Sequence, residues 1–313
     1  MEVSKTVDFR DQSIIMSTKK RKEKTRKIFI FLMLLPALLF LLAYMYYPIV
    51  ETFRLSLMKS TGMNKPTFFG LNNYIRLFHD AEFLAGLFHV FEWAFFSIII
   101  QIPLAFFIAF SVVYYKNRVT KPLRSIYYLA NVLPTAITAM LGLFVFSSAN
   151  GIVTTLAEKL DIKWLAKIDW LGNPSIAFWS VFIVATWTYT GFPIIYLMAR
   201  IEQIPMEIRE ATLLDGATGW TYAWYIVIPM CSYPLRLLAV LCTIGSLKLF
   251  DLPQLMTTGG PGNATKTLAT ILYNQGFRNW KYGSAAAIGV VILLLSLIFT
   301  LAQLSWGNKE GNK

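Results

Sequence analysis

The chain has 313 residues, of which 56% are hydrophobic and only 15% are charged. A soluble domain cannot bury that much apolar surface, so the composition excludes the soluble globular class and predicts a membrane protein. The net charge is +12, and much of it is local: residues 1–27 hold nine Lys and Arg against four acids. Basic groups beside apolar segments follow the positive-inside bias, which argues against nucleic-acid binding.

Residue clusters of the kind that support catalysis or metal binding are missing from the sequence. Cys231 and Cys242 suggest neither a disulfide framework nor a metal-ligand spacing. His79 and His89 stand far apart without partner residues. The sequence therefore predicts no catalytic residue and no metal site.

Six apolar segments predict six membrane-spanning helices. Their approximate bounds are 28–50, 88–115, 125–148, 175–199, 233–250 and 283–304. The basic residues 1–27 predict a mostly disordered cytoplasmic tail, and an even span number returns residues 307–313 to the same side. We therefore predict an all-α membrane protein whose six-span domain covers residues 28–306.

Several residues mark irregular points in the first three spans and their outer loops. Pro103 predicts a kink in span two, and Pro134 lies in the middle of span three. Glu92 either reaches the membrane interface or has a substrate or gating role. In the loop 149–175, Trp164 and Trp170 are candidates for interfacial anchors.

Span four contains an unusually polar and aromatic run, Thr186-Trp187-Thr188-Tyr189-Thr190-Gly191-Phe192-Pro193. The run fits a kinked helix that packs through small residues. It fits a substrate contact near the middle of the membrane equally well, and the sequence leaves both interpretations open.

A short polar stretch between spans four and five carries the most informative pattern, Glu210-Ala211-Thr212-Leu213-Leu214-Asp215-Gly216-Ala217. Pro205 suits the first turn of a helix, and Gly216 suits a stop with positive φ. The pattern predicts a helix of about ten residues, roughly 15 Å long, which is too short to cross a bilayer. Pro229, ten or more residues further on, predicts a bend into span five. From spacing alone, an ordinary polar loop fits as well.

This stretch, with Ile226-Val227-Ile228-Pro229 after it, resembles the EAA loop of permease subunits in binding-protein-dependent ABC importers. Thr212 stands where the family usually has a third Ala, and Ile228 where it usually has Leu. Gly70-Leu71-x-Asn73-Tyr74 and the Thr-x-Gly-Gly-Pro turn at 257–261 also resemble family segments. Over about residues 28–305 the chain is most similar to the sugar-permease branch, with its maltose-type and glycerol-3-phosphate-type subunits.

The resemblance implies a non-enzymatic pore subunit in the bacterial cytoplasmic (inner) membrane, with both termini in the cytoplasm. The implied partners are a second, related but different permease chain, two ATPase subunits that hold ATP and Mg, and an extracytoplasmic sugar-binding protein. The chain itself would hold no cofactor, and its cargo would be an oligosaccharide or related carbohydrate. The alternative is an ion-driven secondary transporter or channel, although charges inside the spans are sparse.

The resemblance also implies roles for individual residues. The short helix would be the cytoplasmic coupling helix, with Glu210 paired to a basic group of the ATPase. The expected coupling residues are Glu210, Ala211, Thr212, Asp215, Gly216 and Ala217. Counting from the family anchors gives substrate contacts at Thr190, Gly191, Cys242, Ser246 and Leu249, to which Trp187 and Tyr189 are added as aromatic groups that would stack on a sugar ring. Cys242, Ser246 and Leu249 stand where relatives have longer polar groups, which predicts a difference in substrate or in this subunit's share of contacts.

Two polar features follow span five. Lys248 and Asp251 are three residues apart and are predicted to pair on one helix face, with an intramembrane functional role as the alternative. Residues 257–267 nearly match the phosphate-binding pattern GxxxxGK[ST], but Thr265 replaces the required glycine and no buried strand precedes them. We therefore reject nucleotide binding by this chain.

Overall fold

The structure is a computed structural model that describes the backbone of residues 3–62, 64–115 and 120–310. The chain divides into two compact units, Met1–Arg54 and Leu55–Lys313. Helix α1 (Val3–Leu41) continues through a π-helical turn (Leu42–Tyr46) into α2 (Tyr47–Ser56), whose last two residues belong to the second unit.

The disordered tail predicted for residues 1–27 is wrong from Val3 onward, because α1 begins there. The segment is rich in Lys, Arg and Glu, which are good helix formers. Extending an existing helix forms one hydrogen bond for each residue added, without the cost of nucleating a new helix. The helical membrane segment therefore favours a helical conformation in the residues that precede it.

The second unit consists of a small hairpin and many helices. Its elements are β1 (Met58–Lys59), β2 (Thr67–Phe68), α3 (Asn72–Phe78), α4 (Ala81–Phe96), α5 (Ile102–Tyr115), α6 (Thr120–Val132), α7 (Thr135–Phe146), α8 (Ile152–Lys159), α9 (Lys163–Ala166), α10 (Pro174–Tyr189), α11 (Gly191–Glu202), α12 (Met206–Leu214), α13 (Trp220–Tyr222), α14 (Ile228–Met230), α15 (Ser232–Leu247), α16 (Asp251–Thr257), α17 (Leu268–Tyr273) and α18 (Tyr282–Glu310). Further π-helical turns lie at Ser97–Gln101, Ala223–Val227 and Asn274–Arg278.

Among the described residues, three helical runs are long and apolar enough to cross a membrane: Lys22–Ser56, Ala81–Tyr115 and Tyr282–Gln303. Two further runs qualify if each bent pair is one span. The bend is 41° between α10 and α11, and 73° between residues 220–230 and α15. The second bend falls at Cys231, two residues after the predicted position at Pro229.

The segment predicted as span three is broken at its proline. Pro134 has an extended backbone (φ −53°, ψ 137°) and immediately precedes α7. The segment is thereby divided into α6 and α7, and α7 alone has 12 residues. Pro103, in contrast, lies inside the continuous helical run Ala81–Tyr115. A proline removes a backbone hydrogen bond there, and the irregular backbone is the π-helical turn just before it.

Three clusters of buried apolar side chains hold the second unit together. One surrounds Phe110 and joins α5, α11, α15 and the segment after α12. Another contains Trp93, whose ring lies edge-on to Phe178 and Phe182 at centroid distances of 5.1 and 5.4 Å. The third joins α4, α17 and α18. Aromatic and aliphatic packing between helices thus fixes the positions of the residues described next.

The loop between α7 and α10 contains the two predicted tryptophan anchors, which differ in their exposure. Trp164 is exposed, as an interfacial anchor requires, whereas Trp170 is half-buried with its ring 5.6 Å from that of Phe146.

In the same loop, two hydrogen bonds lower the pKa of Asp169 below its ordinary value. The larger effect comes from the Ser148 hydroxyl and the smaller from the Gly172 N–H.

Candidate functional site

A cavity of about 360 Å³ lies among α4, α6, α10, α11, α15 and the start of α16. Its lining mixes aromatic and aliphatic side chains with a smaller set of polar groups. The polar lining side chains are Ser97, Gln101, Asn131, Tyr189, Ser246, Lys248 and Asp251, and the others include Trp93, Phe192, Leu238, Cys242 and Leu249. A mainly apolar cavity with a few polar groups is the usual form of a small-molecule site.

Four of the seven residues predicted as substrate contacts line this cavity: Tyr189, Cys242, Ser246 and Leu249. They come from two helical segments more than fifty residues apart in sequence, which the fold brings together. Their role as substrate contacts stays a prediction.

The other three predicted contacts, Trp187, Thr190 and Gly191, are outside the cavity lining. Thr190 is fully buried at the junction of α10 and α11, where its hydroxyl donates to the Thr186 carbonyl. The polar run of span four therefore serves in part to form the bend, as the packing interpretation requires.

Sequence analysis missed the cavity residues on the π-helical turn after α4. Ser97 and Gln101 are 3% and 5% exposed, and the Gln101 amide lies 3.4 Å from the Thr186 hydroxyl oxygen. The signal was present, since these two polar residues flank three isoleucines inside an apolar span. Polar groups are costly there, and π-helical turns often occur at functional sites.

The predicted pairing of Lys248 with Asp251 on one helix face is wrong. Helix α15 ends at Leu247 and α16 begins at Asp251, so the two residues are on different elements. No ion pair joins them in the described part of the chain. Both line the cavity instead, which gives it one group of each charge.

The predicted short helix is present as α12, and its limits are close to those expected. It has nine residues, and Pro205 directly precedes it rather than lying in its first turn. Gly216 has φ +79°, the positive value predicted for the stop. The Gly216 and Ala217 N–H groups donate to the carbonyls of Leu213 and Thr212, which closes the helix end.

One side of α12 is fixed to the end of α5 through Tyr114. The Arg209 guanidinium lies 4.9 Å from the centre of the Tyr114 ring, and the Gly219 N–H donates to the Tyr114 hydroxyl at 2.9 Å. The Tyr222 ring packs against the same side chain. Thr212 is buried on this side. The position of α12 is thus set by aromatic packing.

The other side of α12 is open. Glu210, Ala211, Asp215 and Gly216 are exposed, and Ala217 is half-buried. Leu214 is 90% exposed, although Leu is among the residues most often buried. A rigidly held helix with an exposed apolar side chain between two carboxylates has the features of a docking surface.

The turn that resembles a phosphate-binding loop has its polar groups engaged within the protein. The Thr265 hydroxyl bonds with that of Thr257, and Lys266 forms an ion pair with Glu82 at 2.7 Å. The Lys266 carbonyl lies 3.0 Å from Nδ1 of His89, and Thr267 donates to the Leu249 carbonyl. A helix, α17, does follow the turn, but these contacts give the turn a structural function.

Comparison with known proteins identifies the family of this chain. Residues 101–305 match the family model of the binding-protein-dependent transport system inner membrane component. The chain belongs to this family. It is therefore a multi-pass permease subunit of an inner-membrane transporter, as the EAA-like stretch predicted.

Relatives of this permease match over almost their whole length. A probable ABC transporter permease protein, YurN of Bacillus subtilis, is 32% identical over 282 residues, 90% of this chain and 96% of the relative. The trehalose/maltose transport system permease protein MalF of Thermococcus litoralis is 30% identical over 292 residues, 93% of this chain and 97% of the relative.

The fold also matches that of a chain in a solved ABC transporter. A chain of a bacterial ABC transporter involved in the import of the acidic polysaccharide alginate matches with a TM-score of 0.81. The two share 21% identity, and the match covers 93% of this chain and 99% of the other.

Proposed function

We propose that this permease forms half of the pore of an ATP-driven importer for an oligosaccharide or related carbohydrate. The observation that carries the proposal is α12, whose exposed side presents Leu214, Glu210 and Asp215 while its other side is fixed to α5. Relatives named for trehalose and maltose or for arabinooligosaccharides support the substrate class.

In the proposed topology the chain crosses the membrane six times. The pair α6 and α7 forms the third span, the bent pair α10 and α11 forms the fourth, and α15 forms the fifth. Residues 1–27 and 307–313 are cytoplasmic tails, the domain covers 28–306, and its coupling loop covers 200–232. The basic residues of 116–124 place that loop inside as well, although the side chains of its four cations lie outside the described residues.

The coupling helix transmits movement from one of two separate ATPase subunits, which bind ATP and Mg, so this chain needs no cofactor. Glu210 pairs with a basic group of the ATPase, where partial desolvation strengthens the bond. Leu214 fills an apolar recess, and Ala211, Asp215, Gly216 and Ala217 set the shape of the contact. Thr212 is buried, and its part is to seat the helix.

The cavity of about 360 Å³ described above, here called the central cavity, is the part of the translocation path that this chain contributes. Tyr189, Gln101, Asn131 and Ser246 offer hydrogen bonds for sugar hydroxyls, and aromatic rings in the lining offer stacking faces. A second, related permease chain completes the path. An extracytoplasmic sugar-binding protein delivers the cargo, and the differential affinity of ATP and of the loaded receptor shifts the inward-open and outward-open populations.

Reconstitution tests the proposal. The permease is placed in proteoliposomes with its partner permease, its ATPase and its sugar-binding protein, and uptake of labelled oligosaccharides is measured. Uptake should require ATP and the receptor and should be insensitive to ionophores. Uptake that follows a proton or sodium gradient without ATP would instead favour an ion-driven transporter or channel.

A further inference from the structure

A second cavity, of about 320 Å³, lies at the start of α18 and shares no lining residue with the central cavity. Its walls come from β1, α3 and the residues just before and after Tyr282. Three of its lining residues are cations, Lys59, Arg76 and Lys281, and one is a carboxylate, Asp80. The lining therefore has an excess of two positive charges.

The walls of this cavity are tied to each other. The Asn73 side chain is buried and donates to the Ser56 and Met58 carbonyls at 2.7 and 2.9 Å. Gly283 allows α18 to approach the hairpin, because a Cβ there would lie 2.0 Å from the Met58 carbonyl oxygen. These contacts hold the cavity in a fixed shape, so the site exists before any ligand arrives.

The three cationic groups of the cavity are not held in ion pairs within the described residues. The Arg76 guanidinium lies over the Phe69 ring at 4.8 Å. The Asp80 carboxylate accepts a hydrogen bond from the Glu82 N–H at the start of α4. Gln275 also lines the cavity, and its buried side-chain oxygen has no hydrogen-bond partner. An anion that also carries hydroxyl donors would satisfy both features.

Exposed apolar side chains flank the cavity. Phe68, Leu71 and Ile75 are 76%, 64% and 55% exposed on the hairpin and α3 side, and Phe277 and Trp280 are 65% and 56% exposed on the side of α18. The apolar run of α18 that can cross a membrane begins at Tyr282, next to Lys281. Cations among aromatic and aliphatic groups at the end of a span are typical of a membrane interface.

We propose that this cavity binds the headgroup phosphate of an anionic phospholipid with a hydroxylated headgroup, while the acyl chains lie along the apolar flanks. Lys59, Arg76 and Lys281 hold the phosphate, and the Gln275 oxygen accepts a headgroup hydroxyl. The apolar flanks favour a lipid over a free phosphate ion, which has no chains to cover them. The site goes beyond the transport function, since a lipid bound there would contact the hairpin, α3 and α18 together, and its occupancy would depend on the lipid composition of the membrane.

Native mass spectrometry of the purified full chain tests this site, with phosphatidylglycerol or phosphatidylcholine added in neutral detergent. The triple variant K59Q/R76Q/K281Q removes the three cations. The control, K159Q/K163Q/K167Q, makes the same charge change at exposed lysines in α8, in α9 and just after α9. The wild type and the control should bind phosphatidylglycerol in preference to phosphatidylcholine. In the triple variant, the ratio of the two affinities should be at least about tenfold smaller.

Three outcomes would overturn the proposal. Equal loss in both triple variants would mean a general charge effect without a site. Displacement of phosphatidylglycerol by millimolar inorganic phosphate, with equal stabilisation of the wild type by phosphate alone, would assign the cavity to a free anion. Unchanged lipid preference in the triple variant, together with weaker binding of the sugar-binding protein, would assign this surface to the receptor.

Discussion

The central cavity and the proposed coupling helix α12 are built in opposite ways. The cavity depends on side chains from six helices that meet only in the folded chain. Its polar groups differ in exposure: Ser97, Gln101 and Ser246 are buried, whereas Asn131, Lys248 and Asp251 are exposed. The α12 surface comes from one continuous stretch, and its key side chains are exposed. A surface for a protein partner can be local in sequence, whereas a cavity for a small molecule requires the whole packing to be correct.

The largest expected effect comes from breaking the end of α12 with Gly216→Pro. Proline fixes φ near −65°, and Gly216 has φ +79°. Since such a conflict costs about 3 kcal/mol, uptake in the reconstituted importer should fall about a hundredfold while membrane insertion is unchanged. ATP hydrolysis should continue without driving uptake.

Glu210→Lys should act in the same direction by placing a cation where an acceptor is needed. The matched control is Glu158→Lys, an equal change at an exposed residue of α8. Normal uptake in both Gly216→Pro and Glu210→Lys would contradict the coupling role of α12.

A smaller effect is expected from filling the cavity at Gly245. This residue lines the cavity, and a Cβ built on it meets no atom within 4 Å. Gly245→Phe should lower uptake about tenfold by steric exclusion, with α12 and its coupling unaffected. Gly245→Ala, which fits the open space, should transport normally. Wild-type uptake by Gly245→Phe would mean that the sugar takes another path.

The smallest effect is expected at the contact between α12 and α5. Tyr114→Phe keeps the ring under Arg209 but removes the acceptor for the Gly219 N–H. Losing this bond costs about 1 kcal/mol, so hydrogen exchange at the Gly219 amide should become about fivefold faster. Tyr233→Phe, the same change at an exposed tyrosine of α15, is the control. Equal exchange rates in the two variants would show that Tyr114 does not hold this segment.

The same contrast explains what could be predicted from sequence. The limits of α12 and the positive φ of Gly216 depend on local rules of helix capping, so the sequence predicted both. Counting from family anchors assigned Cys242 and Ser246 to one site, and both line the same cavity, although their contact with substrate stays a prediction.

The errors arose where tertiary packing or a local break decides the outcome. Lys248 and Asp251 do not share a helix face because α15 ends at Leu247. Gln101 enters the cavity through a π-helical turn, which changes the face that later residues present, and no pattern of spacing announces it. Pro134 is a local break that divides the predicted span three into α6 and α7, and their role as one span stays a prediction.

The most direct test of the central claim is the location and partner of Asp215. A single cysteine is introduced by Asp215→Cys after Cys231→Ala and Cys242→Ala, and the assembled importer is labelled and cross-linked in oriented membranes. The account predicts labelling by an impermeant maleimide only from the cytoplasmic side, and a cross-link to the ATPase that forms during turnover. Labelling from the external side, or the absence of any cross-link to the ATPase during turnover, would contradict it.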